Sequence, residues 1–249
     1  MQSKSALQWF VCLLAFLTVA ISLSSCKLEC LAKSYRYRLT IKVEKNGEIH
    51  SGSSVIELNT IWTGFLLGID NTQKFETHAR GEAVFVDLGK GDNLLALLDD
   101  EPYWKSTKML PSFVILGEQT ARKQSPYFDL LTTTFPEKLS DAKDKIYTVR
   151  PDQLPTLVRF RNLSDPMTIE EVDPTNFTKS YGGDAVLREI SLVITQDPVS
   201  NRIVNDIPWL TQLNNSPSPL VLKRQLINKR TGHSTSYNYP ITYYNFVRK

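Results

Sequence analysis

Apolar and polar residues alternate most strictly across residues 35–58. Tyr35, Tyr37, Leu39, Ile41 and Val43 are separated by Arg36, Arg38, Thr40 and Lys42. A period of two places the apolar set on one face of a β-strand and the charged set on the other. Asn46-Gly47 follows, a pair that tolerates the positive φ of a tight hairpin turn. Ile49, Val55, Ile56 and Leu58 return as a second strand. The pattern predicts a β-hairpin that founds an antiparallel sheet, with one face on a core and the other in water.

Residues 59–80 break the alternation. They carry Ile61, Trp62, Phe65, Leu66 and Leu67 among glycines, and read as an irregular excursion that covers a sheet edge or lines a pocket. A second hairpin is expected from residues 83–88, a Gly89-Lys90-Gly91-Asp92-Asn93 turn, and the near-continuous apolar run 94–98, which suits a strand buried on both faces. Residues 111–116 fit a short strand or an apolar turn of helix, and the charged residues 137–145 a solvated helix. Pro151 and Pro155 mark a soft boundary. Beyond it, residues 156–161 and 185–195 read as strands, and Asp173-Pro174 as the cap and first turn of a short helix ending at Gly182-Gly183. A further short helix is expected within 200–213, then an NNSPSP linker and a last hairpin around Thr231-Gly232.

The resulting expectation is a β-rich α+β fold of antiparallel hairpins forming a sheet or sandwich with a few short helices, after an N-terminal membrane segment. It divides into a signal or anchor segment (1–26), a hairpin-rich region (33–150), a strand-helix-strand-helix region packed on it (151–213), and a basic aromatic tail (214–249). At 249 residues, 41% hydrophobic and 22% charged, the chain has ordinary globular composition.

The N-terminus changes that picture. Lys4 precedes an uncharged run from Ser5 to Cys26, the pattern of an export signal. Leu23-Ser24-Ser25-Cys26 closes it and resembles the bacterial lipobox, in which the cysteine is lipidated and becomes the new N-terminus. The run is also long enough to span a bilayer, which takes about 20 residues. Lys27, Lys33, Arg36 and Arg38 just after it would, by the positive-inside rule, leave the body of such a single-pass protein in the cytoplasm. We read export, with the body outside the cytoplasm; on either reading the chain is tethered by its N-terminus. Cys30 would be the lone cysteine of a mature body, so no disulfide framework is expected.

Charge is unevenly spread. The net charge is +3, yet no acid follows Asp206, while Lys223, Arg224, Lys229, Arg230, Arg248 and Lys249 give the end of the chain +6. With Tyr237, Tyr239, Tyr243, Tyr244 and Phe246 interleaved, this segment suits contact with an anionic surface such as lipid headgroups. The competing expectation, which we favour, is that these aromatics pair across strands and pack on the body. The small net charge alone implies no specific nucleic-acid partner.

Catalytic signals are sparse. His50, His78 and His233 are the only histidines, and His50-Ser51-Gly52-Ser53-Ser54 is not a nucleophile elbow. An enzyme would need a site assembled from distant loops around His50, His78 and Asp87. No cofactor motif or clustered metal-ligand spacing is present; Asp165, Glu170, Glu171 and Asp173 read as a solvated acidic loop rather than a cation site. Gly89-Lys90-Gly91 lacks the rest of a P-loop.

GSSVIEL at residues 52–58, GEAVFVDLG at 81–89, LVRFRNLSDPMTIEEVDP at 157–174 and IPWLTQL at 207–213 together resemble an uncharacterised bacterial family of predicted lipoproteins or N-terminally anchored envelope proteins. The resemblance runs to about Leu213. It implies envelope association and no particular chemistry. The expected function is thus that of an anchored envelope protein with a binding or structural role, touching a membrane, an envelope protein or an anionic surface.

Overall fold

The computed structural model describes residues 32–62, 75–98, 107–117, 141–150, 153–183, 185–214, 220–227 and 234–248. The anchor segment with Cys26, most of the NNSPSP linker, and Lys229, Arg230, His233 and Lys249 lie outside them. Among the described residues no helix is long and apolar enough to cross a membrane.

Strand β1 (Ala32–Lys45) pairs antiparallel with β2 (Glu48–Trp62) along its whole length. Asn46 and Gly47 turn the chain at φ 52° and 81°, the two left-handed positions of a type I′ hairpin turn. Tyr37, Leu39, Ile41 and Val43 are buried completely, and Arg36, Arg38, Thr40, Lys42 and Glu44 stay half-exposed. The other edge of β1 pairs with β9 (Ala185–Thr195), with a bulge after Lys42. Adding β3 (Phe75–Glu82), β6 (Tyr147–Thr148) and β12 (Val247–Arg248) gives a six-stranded sheet in the order β12-β3-β2-β1-β9-β6.

A second sheet holds β4 (Val84–Asp87), β5 (Asn93–Ala96), β7 (Leu157–Phe160) and β8 (Ile169–Glu171), in that order. Only Ala83 separates β3 from β4, so the chain changes sheets at a corner. Gly81 sits there at φ 144°, a conformation that favours glycine. Nearby, β2 crosses β4 so closely that a Cβ on Gly52 would lie 1.9 Å from the Phe85 carbonyl oxygen.

Two apolar clusters show how the layers stack. Leu94, Ala96 and Leu98 join the cluster of Tyr37, Leu39 and Ile41; Leu95 and Leu97 join that of Phe160, Ile207, Leu222 and Phe246. The four-stranded sheet is therefore a middle layer, which is why residues 94–98 are apolar without alternation. Its far side is covered by the short helices Ile203–Asp206 and Leu210–Leu213 and by a ribbon of β10 (Leu220–Ile227) and β11 (Ser234–Ile241).

The helical details depart from the sequence expectation at three places. The helix Phe177–Tyr181 is capped by Asn176, whose side chain accepts from the Lys179 N–H. Asp173 instead accepts from the Thr175 N–H and hydroxyl at 2.8 and 2.7 Å, a local turn that competes with helix. The single helix expected in 200–213 is two four-residue helices, interrupted at Pro208, which has no N–H to offer. In the stretch 137–145, Asp141 and Ala142 are helical, but Lys143 already bridges to Ile194 of β9. Residues 111–116 resolve as the helix Leu110–Leu116. Both sheets draw strands from either side of Pro151: β9 pairs with β1, and β7 with β5.

Candidate functional site

Among the described residues, a set of long-range polar contacts gathers where the first hairpin turn meets the Gly89–Asp92 turn. Lys45 has the same parity as Val43, so its stem continues the buried face, and the residue is 7% exposed. Its Nζ binds the Asp92 carboxylate and lies 3.4 Å from the Leu88 carbonyl oxygen. His50 Nδ1 is 2.9 Å from the Asp87 carbonyl oxygen, while the Asp87 carboxylate accepts from the Gly89 N–H at 2.9 Å. The turn is thus held from two sides by β1 and β2.

Asn93 extends the grip to β7. Its side chain accepts from the Phe160 N–H at 2.9 Å and donates to the Phe160 carbonyl at 2.8 Å, which mimics a strand partner. The Tyr181 hydroxyl donates to the Asn93 carbonyl at 2.8 Å; burial pushes its pKa up, so it stays a neutral donor. The Arg159 guanidinium sits 5.0 Å from the Tyr181 ring centre, and Glu170 binds both Arg159 and Arg161. Each of these groups has a partner within the network. Such an arrangement fixes the two sheets to each other.

The three residues weighed for an enzyme site divide here. His50 and Asp87 meet, but through the Asp87 backbone oxygen. His78 is exposed on β3 and pairs with Asn59, nine residues along β2 from His50, about 30 Å at the rise of a strand. No catalytic dyad is assembled from them. The acidic loop is engaged otherwise as well: Glu170 by two arginines, Asp165 by the Met167 N–H at 2.9 Å, and Asp173 by Thr175. Among the described residues no group of three or more His, Cys, Asp or Glu is placed to hold a metal ion.

The half-exposed face of the six-stranded sheet carries an order that strand pairing alone reveals. Glu57 bridges Arg36 at 2.7 Å and Arg80 at 3.0 Å. Lys42 pairs with Glu189 at 2.8 Å, Arg188 with Glu44 at 2.6 Å, and Arg38 with Asp197. Hydrogen bonds and opposite charges hold Glu44, Glu189 and Asp197 below the usual carboxylate range. The basic parity of β1 was legible, but the partners of its charges arrive from β2, from β9 and from Asp197 just beyond it, whose registers were not.

Of the basic C-terminal residues, Lys223 is exposed on β10, Arg224 belongs to the same strand, and Arg248 lies on β12 with its guanidinium 5.8 Å from the Tyr244 ring. The aromatics between them are largely structural: Phe246 is fully buried, and Tyr239 and Tyr243 nearly so, whereas Tyr244 is exposed.

Comparison with protein-family models, curated proteins and solved structures gave no match.

Proposed function

We propose that this chain is a bacterial envelope protein, tethered by its N-terminus with the body outside the cytoplasm, and that it acts by binding or organising rather than by catalysis. The observation that carries the reading is Leu23-Ser24-Ser25-Cys26, which closes an uncharged run six residues before β1 begins at Ala32. A lipid on Cys26 would hold a rigid, ion-paired sheet close to a membrane. The resemblance of residues 52–58, 81–89, 157–174 and 207–213 to anchored envelope proteins supports the same reading. The second reading, an exported enzyme around His50, His78 and Asp87, gains nothing from the separation of His78 from the other two.

Metabolic labelling with a fatty acid tests the anchor. The wild-type chain should incorporate label, and Cys26→Ser should lose it and accumulate as precursor. Label that persists in Cys26→Ser would overturn lipidation at this residue.

A further inference from the structure

The N-terminal link meets the six-stranded sheet at one end of its long axis. Five residues, Lys27 to Leu31, separate Cys26 from Ala32, where β1 begins. Even fully extended, a link of that length reaches only about 20 Å. Strand register places Ala32 opposite Ile61, and the next position of β2, Trp62, pairs with Phe75 of β3 at the same end. The Asn46-Gly47 turn closes the other end, beyond the pair of Lys45 with Glu48. The Gly89–Asp92 turn lies there too, held by Lys45 and His50. Between the two ends β1 runs 14 residues, about 43 Å at the rise of a strand. The sheet is therefore about twice as long in this direction as the link that holds it.

A body on such a link would lie on its side only if one broad face were drawn to the bilayer. The outer face of the six-stranded sheet is satisfied from within: Glu57 binds Arg36 and Arg80, Lys42 binds Glu189, and Arg188 binds Glu44. Laying it on headgroups would exchange ion pairs for ion pairs, and exposed pairs are worth little in either setting. On the far side of the molecule, around β10, the described Arg159, Arg161 and Lys223 are matched by Asp165, Glu170 and Glu171. The attachment point is then what sets the orientation.

We propose that the molecule stands on the membrane, with the Ala32, Trp62 and Phe75 end of the six-stranded sheet toward the lipid surface and the Asn46-Gly47 turn away from it. This rests on the proposal that the chain is tethered through Cys26. It puts Lys45, His50 and the Gly89–Asp92 turn on the side remote from the bilayer.

The full-length lipidated protein, reconstituted in phosphatidylcholine vesicles with a headgroup-labelled acceptor lipid, provides the test. With Cys26 lipidated, Cys30→Ser removes the remaining thiol of the mature chain. A donor dye is then carried by His78→Cys, Thr148→Cys or Glu48→Cys, all at exposed positions. Through Asn59, position 78 is level with Ser34; through Ser191, position 148 is level with Thr40; position 48 is level with Lys45. Energy transfer should fall in the order 78, 148, 48, at least about twofold from first to last, since those outer levels differ by about 36 Å. A flexible insert of about ten glycine and serine residues after Leu31 adds roughly 17 Å and should lower transfer at position 78. Equal transfer at 78 and 48, a reversed order, or transfer at 78 that the insert leaves unchanged overturns the orientation. Protein recovered free of the vesicles overturns the tether as well.

Discussion

Gly52 shows how much one residue decides where two strands cross. The clash that a Cβ there would make is with backbone, the Phe85 carbonyl, so no rotamer change relieves it. Gly52→Ala should cost about 1–3 kcal/mol or more, as overpacking in a tight interior does. Gly183→Ala, where a Cβ meets nothing within 4 Å, should stay within about 0.5 kcal/mol. Denaturant melts of the two variants check this; equal losses would contradict the close crossing. The sequence offered only a hint of it, since a glycine in a polar strand reads equally well as a bulge. Lys45 was hidden for a related reason. Parity assigns it to the inner face after Val43, but lysine is rarely buried without a partner, and its partner Asp92 is supplied by a distant turn.

Elements were more legible than their junctions. Hairpin β1–β2 follows from period-two alternation and a glycine turn, and β4–β5 from apolar runs on either side of a glycine-rich turn, signals written in adjacent residues. The cap at Asn176 and the break at Pro208 depend on which of several competing local hydrogen bonds prevails, so the sequence reading placed the cap at Asp173 and one helix in 200–213. The ion pairs across β2, β1 and β9 lead to a prediction about acid. Glu44, Glu189 and Asp197 have folded pKa values below their unfolded ones, with hydrogen bonds to Arg188, Lys42 and Thr195 as the largest causes. A carboxyl lowered in this way adds stability above its unfolded pKa and loses it as pH falls through the folded value. The contribution of this face is therefore complete at neutral pH and fades below about pH 4. Thermal midpoints should drop between pH 7 and pH 3, and the triple variant Glu44→Gln, Glu189→Gln, Asp197→Asn should show a smaller drop. An equal drop in both proteins would place the acid sensitivity elsewhere.

At the scale of the molecule, the chain is interleaved. The C-terminal segment reads in sequence as a basic extension behind a serine- and proline-rich linker. Yet Leu220, Leu222, Ile241 and Phe246 are buried in the second core, and β12 closes one edge of the first sheet against β3. The Leu98 and Ala83 N–H groups donate to the Asn245 and Phe246 carbonyls, both at 2.7 Å. The expected hairpin around Thr231-Gly232 and the packing of its aromatics on the body were legible, but composition cannot report pairing between strands far apart in the chain, so the β12–β3 edge was not visible beforehand. A chain ending at Leu213 should lose cooperative thermal unfolding altogether, whereas Lys223→Glu should melt like the wild type by circular dichroism. A cooperative melt in the shortened chain would mean that the ribbon and β12 are dispensable.

The closure by β12 also bears on the order of events during synthesis. The two strands of the first hairpin are neighbours in the chain, but β9 comes some 150 residues after β1, and β12 about 165 residues after its partner in β3. Pairings of such long range form slowly and only once both partners exist. A nascent chain of this design stays without its finished sheet until β12 has been made. If the chain is exported, as proposed, that delay would keep the polypeptide threadable while its leading segment is recognised.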